Sequence, residues 1–337
     1  MTKTDVHAVN GAIVSPHHVV VTASSRLHMG FFDLNGGLGR RFGSIGLSLH
    51  TPATSLKVSQ ASTLTVEGEG AERAFKIAQQ VLSHLNIDGG VNIQLDQAIP
   101  EHAGLGSGTQ LSLAVGMGIS ALFQCKLTVN EIAVLTQRGS RSGVGLGAFA
   151  SGGLIVDGGR ASTALASQNK VPPVIARAEF PEDWPILLIF DKGHLGVHGS
   201  QELSAFQNLP IFPEVSAALL CRHVLMQALP AIAERDLHAF GQAIQTLQAV
   251  TGDYFAPAQG GGRYTSPLVA KVLSQLQANG VHCFGQSSWG PTGFAVFENQ
   301  REAETQLKIL NATFVDEKNL AFVLTKANNQ PSQILVN

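Results

Sequence analysis

The stretch Ile99-Pro100-Glu101-His102-Ala103-Gly104-Leu105-Gly106-Ser107-Gly108-Thr109-Gln110 has the residue types needed to hold a phosphate. Closely spaced glycines let backbone amides turn toward one point. The opening amides of a following helix lack intrahelical partners, so the two features together cradle an anion. No Lys follows the last glycine, which excludes G-x-x-x-x-G-K-[ST], and the spacing does not fit G-x-G-x-x-G either. Gly104, Leu105, Gly106, Ser107, Gly108 and Thr109 are the expected phosphate-binding residues, in preference to a glycine-rich β–α turn that serves packing alone.

For this chemistry the loop must be delivered by a strand and followed by a helix. The alternating run Val91–Ile99 supplies the strand, and Leu111, Ala114, Val115, Gly118, Ile119 and Leu122 mark the face of a buried helix. Upstream, residues 18–23 read as a strand leading into a polar stretch with hairpin-like turns, Ser24 to Arg40, where Asn35-Gly36 is a turn signal. Residues 43–49 and 62–66 read as further strands and 72–85 as an amphipathic helix; Met1 to Pro16 carry little pattern and are expected to be loosely ordered. Thr128-x-x-Glu131 fits a capping box, and a second glycine-rich loop, 138–147, precedes a hairpin strand, 153–157. The polar, proline-bounded stretch 161–173 marks a domain boundary, giving domains 1–175 and 176–337.

The second half opens with the apolar strand 184–190 and a polar loop, 191–200, holding Lys192, His194 and His198. Helices are expected near 214–229, 234–250 and 301–310, and from the Ser266-Pro267 cap to Gly280, with strands at 281–284, 294–297 and 321–324. Helices packed on one face of an antiparallel sheet follow from that order.

Composition narrows the partners. The 337 residues suit two domains, and a formal net charge of −2 leaves no electrostatic footprint for nucleic acid or an acidic membrane. Cys125, Cys221 and Cys283 are far apart and form no C-x-x-C pair, so they read as reduced thiols in a cytoplasmic protein. No uninterrupted apolar run of the ~20 residues a membrane helix needs is present.

Pro100, Gly104, Leu105, Gly106 and Ser107 resemble the P-x-x-x-G-L-G-S-S/G loop of the galactokinase, homoserine kinase, mevalonate kinase and phosphomevalonate kinase (GHMP) superfamily. Gly285 to Gly293 resembles that superfamily's third glycine motif, which closes over the phosphate loop from the C-terminal domain. The implied fold is α+β: a two-domain GHMP-kinase-like chain, its N-terminal domain like ribosomal protein S5 domain 2 and its C-terminal domain a ferredoxin-like α/β sandwich. Where those kinases read S-G-x-D and use the Asp as base, Ser142-Gly143-Val144-Gly145 ends in glycine, which accepts no proton.

Ser25 to Gly30, Asp33 to Gly36, Leu38 to Arg40 and Ile45 to Leu47 look like the opening signature of the β-ribofuranosylaminobenzene 5′-phosphate synthase family, which shares the fold without being kinases. Arg141 to Gly145, Gly152 to Gly159 and Ser288 to Thr292 also resemble its pattern. The resemblance implies condensation of phosphoribosyl pyrophosphate with 4-aminobenzoate or 4-hydroxybenzoate, releasing CO2 and pyrophosphate, in biosynthesis of a methanopterin-type carrier, by a homodimer. Such chemistry needs anion stabilisation and placement of an aromatic carbon, which helix and loop amides and Mg2+ supply without a general base.

Arg26, His28, Asp33 and Arg40 are the catalytic candidates, with Arg26, Arg40 and Arg141 able to hold a phosphate or carboxylate bidentately. Arg141, Ser142 and Gly143 join the phosphate-binding set, and Lys192, Ser288, Trp289 and Gly290 the substrate set. Ser107 and Asp33 are the candidate metal ligands, Asp33 suiting a turn cap equally well, and His28 a buried hydrogen bond. Asp157, between glycines, reads as a turn residue. A small-molecule kinase with its base elsewhere, and a phosphate-ligand sensor without turnover, are the competing functions.

Overall fold

The computed structural model describes residues 17–162, 171–196 and 199–337. The expectations for Met1–Pro16, for His198 and for most of the boundary stretch lie outside them.

The polar signature expected as loop and turns is strand. β1 runs His18–Asp33 and pairs antiparallel with β3, Gly43–Ala61, after the short β2, Arg40–Arg41. Register shifts at Ser24/Ser25, His28/Gly30 and Phe31/Asp33 break the strict alternation, so the period-2 signal faded although the backbone stays extended. β4 (Thr65–Glu67), α1 (Ala71–His84) and β5 (Gly90–Gln97) follow, with β5 on the far edge of β3.

α2, Ser107–Leu122, is buried nearly all round and lies on the sheet where a Cβ at Gly118 would stand 2.9 Å from Val58 and 3.3 Å from Val21. Small residues here allow close helix–sheet approach. α3, Val129–Leu135, begins at the capping box: Thr128 Oγ accepts from Glu131 N and Glu131 returns the bond to Thr128 N. The second glycine loop contains an unforeseen helix, α4, Val144–Ser151. Gly145 and Gly147 argue against helix by propensity, but a Cβ at Gly147 would press on Ile155 at 2.7 Å, so packing selects glycine. β6 (Leu154–Asp157) joins β3; β7 (Arg160–Ala161) pairs β2, and β8 (Val174–Ala178), which contains residues 175 and 176, pairs β6.

The second sheet is antiparallel, built from β9 (Ile186–Asp191), β10 (Cys283–Gln286), β11 (Gly293–Val296) and β12 (Leu320–Thr325) in the order β10-β11-β9-β12. The helices of this half are α5 (Gly199–Asn208), α6 (Glu214–His223), α7 (Leu229–Glu234), α8 (Leu237–Phe255), α9 (Pro267–Ala278) and α10 (Gln300–Thr313). α5 starts in the last two residues of the expected polar loop and runs on through sequence for which no element was expected. Among the described residues, 214–234 is the one helical run long and apolar enough to cross a membrane; its Ala217, Leu220, Val224, Ala228, Ala231 and Ile232 are buried in the core. A last strand, β13 (Gln333–Val336), returns to the first sheet and pairs β1, Val19 opposite Val336.

Candidate functional site

The first glycine loop stands where three segments meet. Gly104 and Gly106 adopt φ +78 and +83, conformations open to glycine, and Gly106 caps the N-terminus of α2. Leu105 is a backbone participant only: its side chain is 1 % exposed in the core, while its carbonyl accepts from Arg26 N at 3.1 Å. From β1, the Arg26 side chain lies along Gly106, where a Cβ would come within 3.2 Å of its Cγ, and its Nη1 donates to Gly104 O. Arg26 is thereby fixed at the mouth of the loop.

Two arginines that the sequence did not single out complete the cradle. A Cβ at Gly108 would stand 2.8 Å from Arg73 Nη2 and 3.2 Å from Arg138 Nη1, so guanidiniums from α1 and from the end of the α3 segment converge on the first turn of α2. Arg73 pairs with Glu101, and Arg138 Nε donates to Ser112 Oγ at 3.1 Å. Burial, and then the like charge of Arg73, make protonated Arg138 costlier than usual. Three guanidiniums at the positive end of a helix, with one carboxylate among them, suit a multiply charged anion. The missed signal was spacing: Arg73 and Arg138 lie far from Gly108 in sequence, Arg73 outside any motif and Arg138 at the head of the second glycine loop.

The C-terminal glycine loop closes on this assembly. Ser287 Oγ donates to Gly104 O and accepts from His28 N, at 2.8 and 3.0 Å, and Ser288 N donates to His28 O at 2.9 Å. Gly290 packs directly on the backbone of Ala103 and Gly104, and Ser288 is held at φ +56. Gln248 of α8 ties the two halves together, donating to Met29 O and Gln286 O. Gly196 touches Trp289 O and His102 O, whereas Lys192 is exposed, with its amide on Asn319 O. That loop meets the site through glycine rather than through lysine.

The His28 ring is buried with neither nitrogen hydrogen-bonded, edge-on to Phe31 at 4.5 Å. Burial, and then the nearby Arg26 cation, push its pKa down to about 3, so it is neutral across physiological pH. A cavity of about 30 Å³ beside His28 and Trp289 has room for roughly one water.

Ser142 and Gly143 are anchored by a residue expected to shape only a turn. Asp157 is fully buried and accepts from Gly143 N at 3.0 Å, Gly159 N at 2.8 Å, Ser142 Oγ at 3.2 Å and Ser44 Oγ. Burial outweighs these donors and raises its pKa to about 6. The raised value means that the native state binds more protons than the unfolded chain between about pH 4 and 6. Asp157 therefore favours folding below its ordinary pKa, and that contribution is lost as pH rises through 6, on the order of 3 kcal/mol in all. Asp157→Asn should flatten the stability profile across this window in urea unfolding; an unchanged slope would show that the carboxyl titrates normally.

Asp33 and Arg40 are placed elsewhere. Seven residues of extended strand at ~3.3 Å each put Asp33 roughly 20 Å from Arg26, and its Oδ1 accepts from Asn35 N at 2.8 Å, the turn-cap arrangement. Arg40 donates to Gly158 O and Gly159 O, both at 2.7 Å, and faces a separate cleft of about 620 Å³ with Thr128, Ala150 and Pro172. Ser107 is thus not joined by Asp33, and among the described residues no cluster of three His, Cys, Asp or Glu side chains could hold a metal ion.

Comparison with known proteins settles the lineage. Residues 72–153 match the GHMP kinases N terminal domain and 228–316 the GHMP kinases C terminal domain. The chain is 34% identical over 323 residues to a β-ribofuranosylphenol 5′-phosphate synthase of Archaeoglobus fulgidus, covering 93% of this chain and 98% of that one. It is 32% identical over 299 residues to the Methanothermobacter thermautotrophicus protein of the same name, covering 84% and 89%. The chain belongs to the β-ribofuranosylphenol 5′-phosphate synthase family.

Membership makes it an enzyme of the pentosyltransferase kind on a GHMP scaffold, as the sequence motifs implied. Among solved structures, Cytophaga hutchinsonii homoserine kinase superposes with TM-score 0.66 at 16% identity, covering 99% of this chain and 100% of that one. Leishmania major mevalonate kinase gives 0.67 at 17%, covering 91% and 95%. At such identities the likeness is one of fold. Within the family site of this chain, a Cβ at Gly145 would lie 3.1 Å from Thr109 Cγ2, and Gln110 Nε2 already donates to Gly145 O at 2.8 Å. A side chain at this position would crowd Thr109, and the glycine itself offers no carboxylate to take a proton.

Proposed function

We propose that the chain condenses phosphoribosyl pyrophosphate with 4-hydroxybenzoate or 4-aminobenzoate, releasing CO2 and pyrophosphate, in the assembly of a methanopterin-type carrier. The observation that carries this reading is the convergence of Arg26, Arg73 and Arg138 on the first turn of α2 with no base at position 145. As the C1–O bond of the sugar breaks, its electron pair leaves on pyrophosphate, and the cradle stabilises that charge. The ring carbon bearing the carboxylate supplies the pair for the new C–C bond, and the carboxylate bond's pair restores aromaticity as CO2 departs. No side chain has to remove a proton.

Mg2+ remains the expected companion of the diphosphate, with Ser107 at the start of α2 the residue that would hold it, and it would neutralise leaving-group charge. Phosphoryl transfer from ATP is the alternative, and the lack of a carboxylate at Gly145 weighs against it.

Purified protein given Mg2+, phosphoribosyl pyrophosphate and carboxyl-labelled 4-hydroxybenzoate or 4-aminobenzoate should release CO2 and pyrophosphate in equal amounts without ATP. ATP consumption with an alcohol, and no CO2, would reverse the assignment in favour of a kinase.

A further inference from the structure

Beside the phosphate cradle lies a box of rings: Trp289, Phe206, Phe255, Phe31 and Phe42. Every ring pair among the described residues meets edge-on except one. Phe206 of α5 stacks on Trp289 with centroids 5.0 Å apart and planes within 14°. The Arg141 guanidinium carbon sits 5.0 Å from the centroid on Phe206. One ring is thus sandwiched between an indole face and a cation, one residue from Gly290, which packs on the phosphate loop. A flat anionic ring prefers the same surroundings, stacking on the indole while its carboxylate meets the guanidinium.

Two further observations point to a ligand. Trp289 Nε1 and both His28 nitrogens are buried without partners. Buried polar groups are ordinarily satisfied, so this end of the box has donor and acceptor capacity left for a polar ring substituent. The Phe206 ring is also only partly buried, and Ser204, Gln207 and Asn208 beside it face solvent. A partly exposed ring at a helix surface moves at less cost than a core one.

We infer that Phe206 occupies the slot of the aromatic acid, held between Trp289 and Arg141, and that acceptor binding requires α5 to withdraw this ring. The inference rests on the transferase reading for the identity of the acid, a benzoate with a polar para substituent. Phe206 then acts as an internal competitor, and the apparent affinity for the acid is lowered by the fraction of molecules in which the ring is home.

The test uses the full chain with Trp184→Phe, which leaves Trp289 as the sole tryptophan of two. 4-Hydroxybenzoate should quench its emission. Phe206→Ala should bind the acid about three- to tenfold more tightly, with pyrophosphate affinity unchanged. Arg141→Gln should lose at least about tenfold for 4-hydroxybenzoate and little for the neutral 4-hydroxybenzamide. If Phe206→Ala folds poorly, Phe206→Leu, which removes the flat face but keeps bulk, should show the same gain. Unchanged or weaker acid binding in a folded Phe206 variant overturns the inference. Failure of the CO2-release assay while these affinities shift as expected would remove the transferase chemistry and leave the slot.

Discussion

Replacing Arg26 with alanine should lower kcat/KM for phosphoribosyl pyrophosphate by about 30- to 1,000-fold, equivalent to on the order of 2–4 kcal/mol of transition-state stabilisation. The side chain is half-buried along Gly106, its Nη1 tied to Gly104 O, so it reaches the loop already oriented. Little conformational entropy remains to be lost when it meets charge, and charge grows on the leaving group as the sugar bond breaks. Arg26→Lys should recover only part of the loss, because an ammonium cannot reproduce the planar fork. Steady-state kinetics with circular dichroism as the fold control decide the matter. A wild-type rate in folded Arg26→Ala would remove this residue from the chemistry.

The largest loss without removal of any functional group should come from Gly104→Ala. An added methyl would overlap Ser287 O and crowd Gly290, and φ +78 disfavours any side chain. Relief requires the C-terminal loop to lift from the phosphate loop, breaking the Ser287 bonds to Gly104 O and His28 N. Activity should fall at least about 100-fold, as expected when reacting groups are displaced by roughly 1 Å, and the protein should also unfold at lower temperature. Pyrophosphate binding measured calorimetrically separates the effects. If binding and turnover survive, the two loops need not touch during catalysis.

How far the sequence disclosed the site depends on whether its partners are local. Gly104 to Thr109, the strand before them and the helix after them are contiguous, so glycine spacing and apolar periodicity report them together. Arg26 was legible because it sits in a dense motif. Arg73 and Arg138 were not, because only folding brings α1 and the end of the α3 segment to Gly108. Asp33 and Arg40 show the converse: they share Arg26's motif, but a strand is a ruler, and at ~3.3 Å per residue it carries Asp33 away from the loop. α4 was hidden by glycines that packing requires, and Asp157 by the ordinary look of an Asp before two glycines, although its carboxylate orders Ser142 and Gly143. Phe206 lay in sequence for which no element was expected, so its stacking on Trp289 had no sequence signal.

The return of β13 to β1 bears on how this chain comes into being on the ribosome. Val19 to Thr22 find their partners in Gln333 to Val336, more than three hundred residues later in synthesis. Until those residues emerge, one flank of the strand that carries Arg26 shows bare amides and carbonyls, the kind of edge that recruits other nascent chains. Completion of the strand that carries Arg26 thus waits on residues 333–336, and the first sheet is finished only when both halves of the sequence are present.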